Sequence, residues 1–348
     1  MATTAIPAVS ITRDDDQKTA VKNALDLIRD EITDKLTRWN DAGNKPQVLI
    51  KPNLLSTNQN PACNTSVDSC LGIAEFIKVL GDYTILVGDG TTYETGHAPS
   101  TMQALENHGY AEHQDIWTLV DLHEDDTGAW FDNVNNDVPR QVELGIAKLA
   151  VESFVVSVPK IKTHDVLGLT MCLKNMMGTL NAARYKDDAT QIMRGDVKGY
   201  MHGFGNRKPH DLTKEQNIGP SKVALAANLV RLAACRPPDL AVVDGSTIME
   251  GPGPRRGNVC SDIGGLAMAS TDFIAADATC TAMTGFSLDS FQYVKLAGEN
   301  GLGVYDVASI DYRGIPWESL KVEIKPHPLF SEASPWTPEE IEEIAQLV

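Results

Sequence analysis

Two periods of apolar and polar residues take turns along this chain. From Gln17 to Trp39 the side chains Val21, Ala24, Leu25, Leu27, Ile28, Ile32 and Leu36 recur at helical spacing, which predicts an amphipathic helix. Gln47-Val-Leu-Ile50 is then a short strand that ends in Lys51-Pro-Asn53, because a proline cannot continue a ladder. Ser66 to Leu80 is helical again, and Thr84 to Val87 is a second strand running into Gly88-Asp-Gly90. Thr101 to His108 reads as a short helix closed by Gly109, and Trp117 to Asp121 as a third strand. Val142 to Ala150 fits helix or strand. Phe154-Val-Val-Ser-Val158 is an apolar run, the mark of a buried strand.

The pattern then fades. Gly178 to Pro220 is rich in Arg, Lys, Asp, Gly and His with little period, and is expected to be a long excursion over the active face or a poorly ordered lid. Helical spacing resumes at Ser221 to Ala234 and stops at Pro237-Pro238. Leu240 to Val243 is a strand into Asp244-Gly245, and Met249-Glu-Gly-Pro-Gly-Pro254 is a turn-rich loop. Gly265 to Ser270 is a strand, Asp272 to Thr284 and Asp289 to Glu299 are helices, and Pro316 to Ile324 is an edge strand. Disorder is expected only in the first ten residues and in the last twenty. Alternating strands and helices predict an α/β fold with mostly parallel sheets flanked by helices. At 348 residues the chain exceeds what one core usually holds, so two domains or one large one are expected.

Composition narrows the function classes. Thirty Lys and Arg against 47 Asp and Glu leave a formal charge of −17, which argues against a nucleic-acid or anionic-membrane surface. A small anionic ligand needs only a local positive pocket and stays open. There is no charged start followed by a long apolar run, and no stretch nears the length of a transmembrane helix, so a cytoplasmic location without membrane contact is expected. The six cysteines, at 63, 70, 172, 235, 260 and 280, form no C-x-x-C pair, against a zinc ribbon or an iron–sulfur cluster.

The chemistry-bearing residues crowd at strand ends. Lys51 and Asn53 project where the first parallel strand stops. Lys160, Lys162 and His164 alternate after Pro159, so in extended chain they share one face. Two ammonium groups and an imidazole there suit carboxylate or phosphate binding. Lys174 and Asn175 follow the apolar Leu169 to Leu173; a lysine so placed is a nucleophile, a Schiff-base former, a cofactor tether or half of a structural salt bridge. His202 and His210 in the excursion are candidate metal ligands or surface histidines, and Asp244 and Glu250 can bind a divalent cation or act as a base.

Several of these pieces, in this order, resemble the family called domain of unknown function 362. The matching residues are Val48-Leu-Ile-Lys-Pro-Asn53, Val87-Gly-Asp-Gly90, Val158-Pro-Lys-Ile-Lys-Thr-His164, Gly168-Leu-Thr170, Leu173-Lys-Asn175 with Gly178, Val242-Val-Asp-Gly245, Met249 to Pro254, and Asp272 to Asp277. Many members carry iron–sulfur cysteine motifs, which this chain lacks. A more distant likeness is to the lactate racemase family, which uses a nickel-pincer nucleotide. His164 and Lys174 keep that family's step from a histidine to its cofactor-anchoring lysine, and His97 stands upstream where its second histidine does. That resemblance implies His97 and His164 as acid/base partners, Lys174 as tether and His202 as metal ligand. Lys51-Pro-Asn53 replaces the family's aspartate–arginine start and the glycine pair before the lysine is missing, so the pincer nucleotide itself is not expected. It also implies two α/β domains with a cleft between them, drawn here at 1–215 and 216–348.

Together these features lead us to expect an enzyme that acts on a small carboxylate metabolite by isomerisation, racemisation or related proton or hydride transfer, a divalent metal ion being compatible with it. Lys51, Asn53, Lys160, Lys162 and Asn175 would bind substrate. A non-catalytic binding protein for an anion or metal is the alternative, and a homodimer is compatible with either.

Overall fold

A computed structural model describes residues 6–57, 60–91, 101–135, 141–195, 197–203, 214–330 and 336–348, with 214–220 described as helix backbone. The chain is a mixed α/β protein whose central sheet is largely parallel and flanked by helices, as the alternation of strand and helix patterns predicts. Across the sheet lie Asp311–Gly314, Ala8–Arg13, Asn258–Ser270, Leu240–Glu250, Phe154–Val158, Gln47–Pro52, Thr84–Asp89 and Thr118–Asp121. Lys160–His164 adds to Leu240–Glu250 in parallel, and Gly168–Thr170 folds back on it as an antiparallel hairpin. Strands from both sides of residue 215 stand next to one another in this sheet, Phe154–Val158 beside Leu240–Glu250 and Ala8–Arg13 beside Asn258–Ser270.

The apolar runs are explained by two cores, one on each face. Val48, Ile50, Phe154, Val156 and Val158 pack with helices Gln17–Leu27, Arg29–Asp41 and Val67–Leu80. Leu49 and Val155, pointing the other way, pack with helices Lys214–Cys235 and Phe273–Met283. A central parallel strand is therefore apolar at nearly every position, with a polar residue such as Ser157 admitted only with hydrogen-bond partners, and most polar residues are displaced to its ends.

Four expectations from the pattern are corrected. The first ten residues are not disordered throughout: Ala8–Arg13 is a strand inside the sheet, with Val9 and Ile11 in one core and Ala8 in the other. The helix expected over Gln17 to Trp39 is two helices broken at Ile28. The edge strand is Asp311–Gly314, while Trp317–Leu320 is a 3-10 turn. Much of the expected excursion is built: Leu180–Tyr185 and Asp188–Arg194 form a hairpin in a second, antiparallel four-stranded sheet with Val142–Ala147 and Thr127–Asp132. Asp188–Arg194 is largely solvent-facing, which is why its composition hid it. At the other end of the chain, Pro338–Gln346 is a helix with a Thr337/Glu340 capping box, held to the long helix by Lys222 and Glu340 at 2.7 Å.

The short helix Cys172–Asn175 has too few residues to hold itself and is fixed from outside. Asp277, fully buried on helix Phe273–Met283, accepts from the amides of Cys172 at 2.7 Å and Leu173 at 2.9 Å. Burial, against those two hydrogen bonds, pushes the Asp277 carboxyl up to about 7. Asp277→Ala leaves two buried amides without an acceptor and is expected to lower stability by roughly 2–4 kcal/mol, read by urea denaturation, with Asp277→Asn losing less.

Candidate active site

The carboxyl ends of the parallel strands open on a cavity of about 790 Å³, within the range of small-molecule sites. Among the described residues six Lys and Arg side chains line it (Lys51, Lys162, Lys174, Lys198, Arg255 and Arg256), with three histidines, His164, His202 and His327, and two aspartates, Asp89 and Asp165. An acidic chain has thus gathered a strongly positive pocket.

Its floor is a buried ion pair. Lys51 Nζ lies 2.6 Å from Asp89 Oδ1, both side chains sealed from solvent at the ends of adjacent parallel strands. Lys51 also donates to the Pro52 carbonyl at 2.9 Å and to Asn175 Oδ1 at 3.1 Å. Asp89 Oδ2 accepts from the Leu54 amide and Oδ1 from that of Gly90. Burial pushes the Lys51 ammonium below its ordinary value and Asp89 pulls it back. Asn175 is the hub: its Oδ1 accepts from Lys51 and Asn53, and its Nδ2 donates to the Lys51 carbonyl and Ser157 Oγ. Gly178 presses on the pair so closely that a Cβ there would lie 1.8 Å from Asp89 Oδ1 and 2.6 Å from Lys51 Nζ.

The hairpin supplies the next wall. Lys162 Nζ donates to the Cys63 carbonyl at 2.6 Å, and burial takes its pKa down to about 8. Lys174 is half-buried beside Met177; withdrawal of its amine from solvent, with Lys162 near, takes it to about 7. Burial, then the Lys174 charge, holds His164 well below the usual histidine value, so its ring is neutral. His164 Nδ1 accepts from the Val166 amide at 3.1 Å and the Leu167 amide at 3.4 Å, and lies 3.2 Å from Asp165 Oδ1. His327 Nδ1 likewise accepts from the Leu329 amide at 3.0 Å. His202 is the reverse: its Nδ1 is 2.8 Å from the Lys198 carbonyl, which can only accept.

Of the residues singled out by sequence, the cavity brings together Lys51, Asn53, Lys162, His164, Lys174, Asn175 and His202. Lys160 does not line it. The register between the Lys160 strand and its neighbour jumps after Lys160, which turns to Asp244 at 3.2 Å and Ser246 Oγ at 2.6 Å. Asp244 is wholly buried and accepts from the amides of Ser66 and Ser246. Glu250 faces Lys325, 3.3 Å from its ammonium, and accepts from its amide. Neither carboxylate reaches the cavity, and among the described residues no three His, Cys, Asp or Glu side chains are placed to hold a metal ion. His97 and His210 lie outside the described residues.

Sequence reasoning passed over Asp89 as a site residue, and with it Thr170, Lys198, Arg255, Arg256 and His327. Arg255 and Arg256 follow the Gly253-Pro254 turn, a legible signal; His327 sits between prolines far along the chain and gave none. Gly253 is pressed on Thr163, whose carbonyl would lie 2.1 Å from a Cβ, so the turn that carries the arginines can approach the hairpin.

The pattern of the family described as Domain of unknown function (DUF362) matches residues 48–282, which include every strand end that borders the cavity floor. The chain belongs to this family. The DUF362 chain is also 26% identical over 268 residues, 76% of its own length and 70% of the relative's, to "Thylakoid-associated protein sll1697" from Synechocystis sp.. Among its described residues no helix is long and apolar enough to cross a membrane.

Two outcomes follow for this DUF362 site. Gly178→Ala is expected to break the Lys51–Asp89 contact and destabilise by about 3 kcal/mol or more, seen as a lowered melting temperature. Anion affinity is expected to fall with rising pH, because a bound carboxylate favours the charged amines and Lys174 and Lys162 lose charge through about 7 and about 8. For oxalate as probe, the Lys174 step alone would weaken binding on the order of fiftyfold from about pH 7 to about pH 9. Calorimetry on Lys174→Met should show that part of the slope gone; an unchanged slope would contradict the assignment.

Proposed function

We propose that the protein is an enzyme that binds a small carboxylate metabolite in the cationic cavity and moves a proton at the carbon next to the carboxylate. The observation that carries this reading is the set of six Lys and Arg side chains around one cavity in a chain of net charge −17. Such a pocket draws in an anion although the whole molecule repels it. Proton transfer is supported by the amine of Lys174, at about 7, a group able to hold or give a proton near neutral pH. Arg255 and Arg256 are suited to grip a planar carboxylate with paired N–H donors.

We place the protein in the cytoplasm, supported by six cysteines that all remain free, five of them buried. The name of the Synechocystis relative makes peripheral attachment to a membrane the alternative to be tested by fractionation.

Incubation in deuterated buffer with lactate, malate, alanine and aspartate tests the reaction class. Loss of the proton signal next to the carboxylate is expected for at least one of them, and Lys174→Gln should slow it by roughly a hundredfold. Binding without any exchange would reduce the protein to a carrier of anions; neither binding nor exchange would end the reading.

A further inference from the structure

We propose that Lys174 is a nucleophile whose amine condenses with the carbonyl of a 2-oxo acid, the acid's carboxylate being held by Lys162 and Thr170. This activity goes beyond the proposed reaction and shares with it only the cationic grip on a carboxylate. The partners of the cavity lysines single Lys174 out. Lys51 is paired with Asp89 at 2.6 Å. Lys162 donates to the Cys63 carbonyl at 2.6 Å, and Lys198 to the carbonyl of Gly90. Among the described residues Lys174 has no oxygen partner: its hydrogen-bond neighbour is the Met177 thioether, 3.7 Å from Nζ. An ammonium calls for strong acceptors, and a thioether is a weak one. The charges that act on Lys174 are Lys162 and Lys198, which oppose a further ammonium, against Asp165. Such surroundings suit the neutral amine, the form that attacks a carbonyl. Burial first, then Lys162, takes its pKa to about 7, so a large share of it is neutral at neutral pH.

The amine is also held in place. Its short helix is pinned at one end by Asp277, which accepts from the amides of Cys172 and Leu173. At the other end Asn175 is bonded to Lys51 and Ser157. Thr170, just before this helix, is the register partner of Lys162 in the antiparallel hairpin, so their side chains stand side by side on one face. Both line the cavity with Lys174. Thr170 is 3% exposed and its hydroxyl has no hydrogen-bond partner among the described residues, which leaves a donor for a ligand. Lys162 gives one of its three N–H groups to Cys63 and keeps two for an anion. Since Lys162 is the strongest charge acting on Lys174, a carboxylate on Lys162 brings the carbonyl carbon beside it to the amine. In the step, the Nζ lone pair bonds to that carbon as the C=O π pair moves to oxygen. Both amine protons pass to the oxygen, which departs as water, and a C=N bond remains. Once protonated, the imine withdraws electrons from the carbon beyond it and loosens its C–H bonds.

Incubation of the full chain with pyruvate and cyanoborohydride at neutral pH, followed by peptide mapping by mass spectrometry, tests the imine in the wild-type protein. One reduced pyruvate is expected on Lys174, formed on the order of a hundredfold faster than on any exposed lysine, because exposed lysines stay protonated. No adduct, or one spread evenly over surface lysines, overturns the nucleophile. Lys174→Arg keeps the charge and should lose the adduct; an adduct of the same yield in that variant has the same overturning force. Acetone, a ketone without a carboxylate, separates the grip from the chemistry. Thr170→Val should lower the ratio of pyruvate to acetone labelling at Lys174 about tenfold, and an unchanged ratio overturns the carboxylate grip. Deuterium exchange of lactate, malate, alanine or aspartate without the adduct sinks this inference and leaves the proposed reaction standing. The adduct without any exchange does the reverse.

Discussion

The Lys51–Asp89 ion pair is the contact on which the rest of the site depends. It joins the ends of two adjacent parallel strands in a place that water does not reach. Taking two charges out of water is costly, and the pair is tolerable because its own polar atoms are matched: two backbone amides on Asp89, a carbonyl and Asn175 on Lys51. Asn175 and Gly178 bring the Cys172–Gly178 turn onto this knot, and Asp277 fixes the turn's other end. Lys174 is therefore held between two anchors. A buried ion pair of this kind contributes little net stability; its consequence here is position.

Local and global charge have opposite signs in this molecule. The acidic side chains that make the chain negative lie largely elsewhere, while the basic ones at the strand ends share one cavity. Withdrawn from solvent and crowded by each other, Lys162 and Lys174 drop toward neutral pH. Neighbouring Lys51 and Lys160, each with its own aspartate, show the other outcome of burial: they find a partner. The distinction between a structural and a chemical lysine is thus whether a carboxylate stands within reach.

Particular elements show how far the pattern of residues could be read. Val48 to Ile50, Ile85 to Val87 and Phe154 to Val158 announced themselves as buried strands because a parallel strand covered on both faces has no room for alternation. Asp188–Arg194 did not, since a mostly solvated strand looks like a loop. Ala8–Arg13 was passed over because a short strand at a chain end carries no flanking signal, although it is central to one side of the sheet. In the site, Lys51, Lys162, His164, Lys174 and Asn175 were legible from polar residues crowded after apolar runs; Lys160 stood among them by spacing and separates from them only through a register jump.

By itself the sequence determined the α/β class, the stretch that carries the chemistry and the positive character of that stretch, because these follow from local periodicity and residue type. The tertiary structure alone decided which lysines are paired with an aspartate and which face the cavity, that Thr170 stands beside Lys162, and that Arg255, Arg256 and His327 join them. Those properties belong to pairs of groups distant in the chain, or to backbone partners that a side chain meets only once folded, and a pairing has no signature in the order of residues.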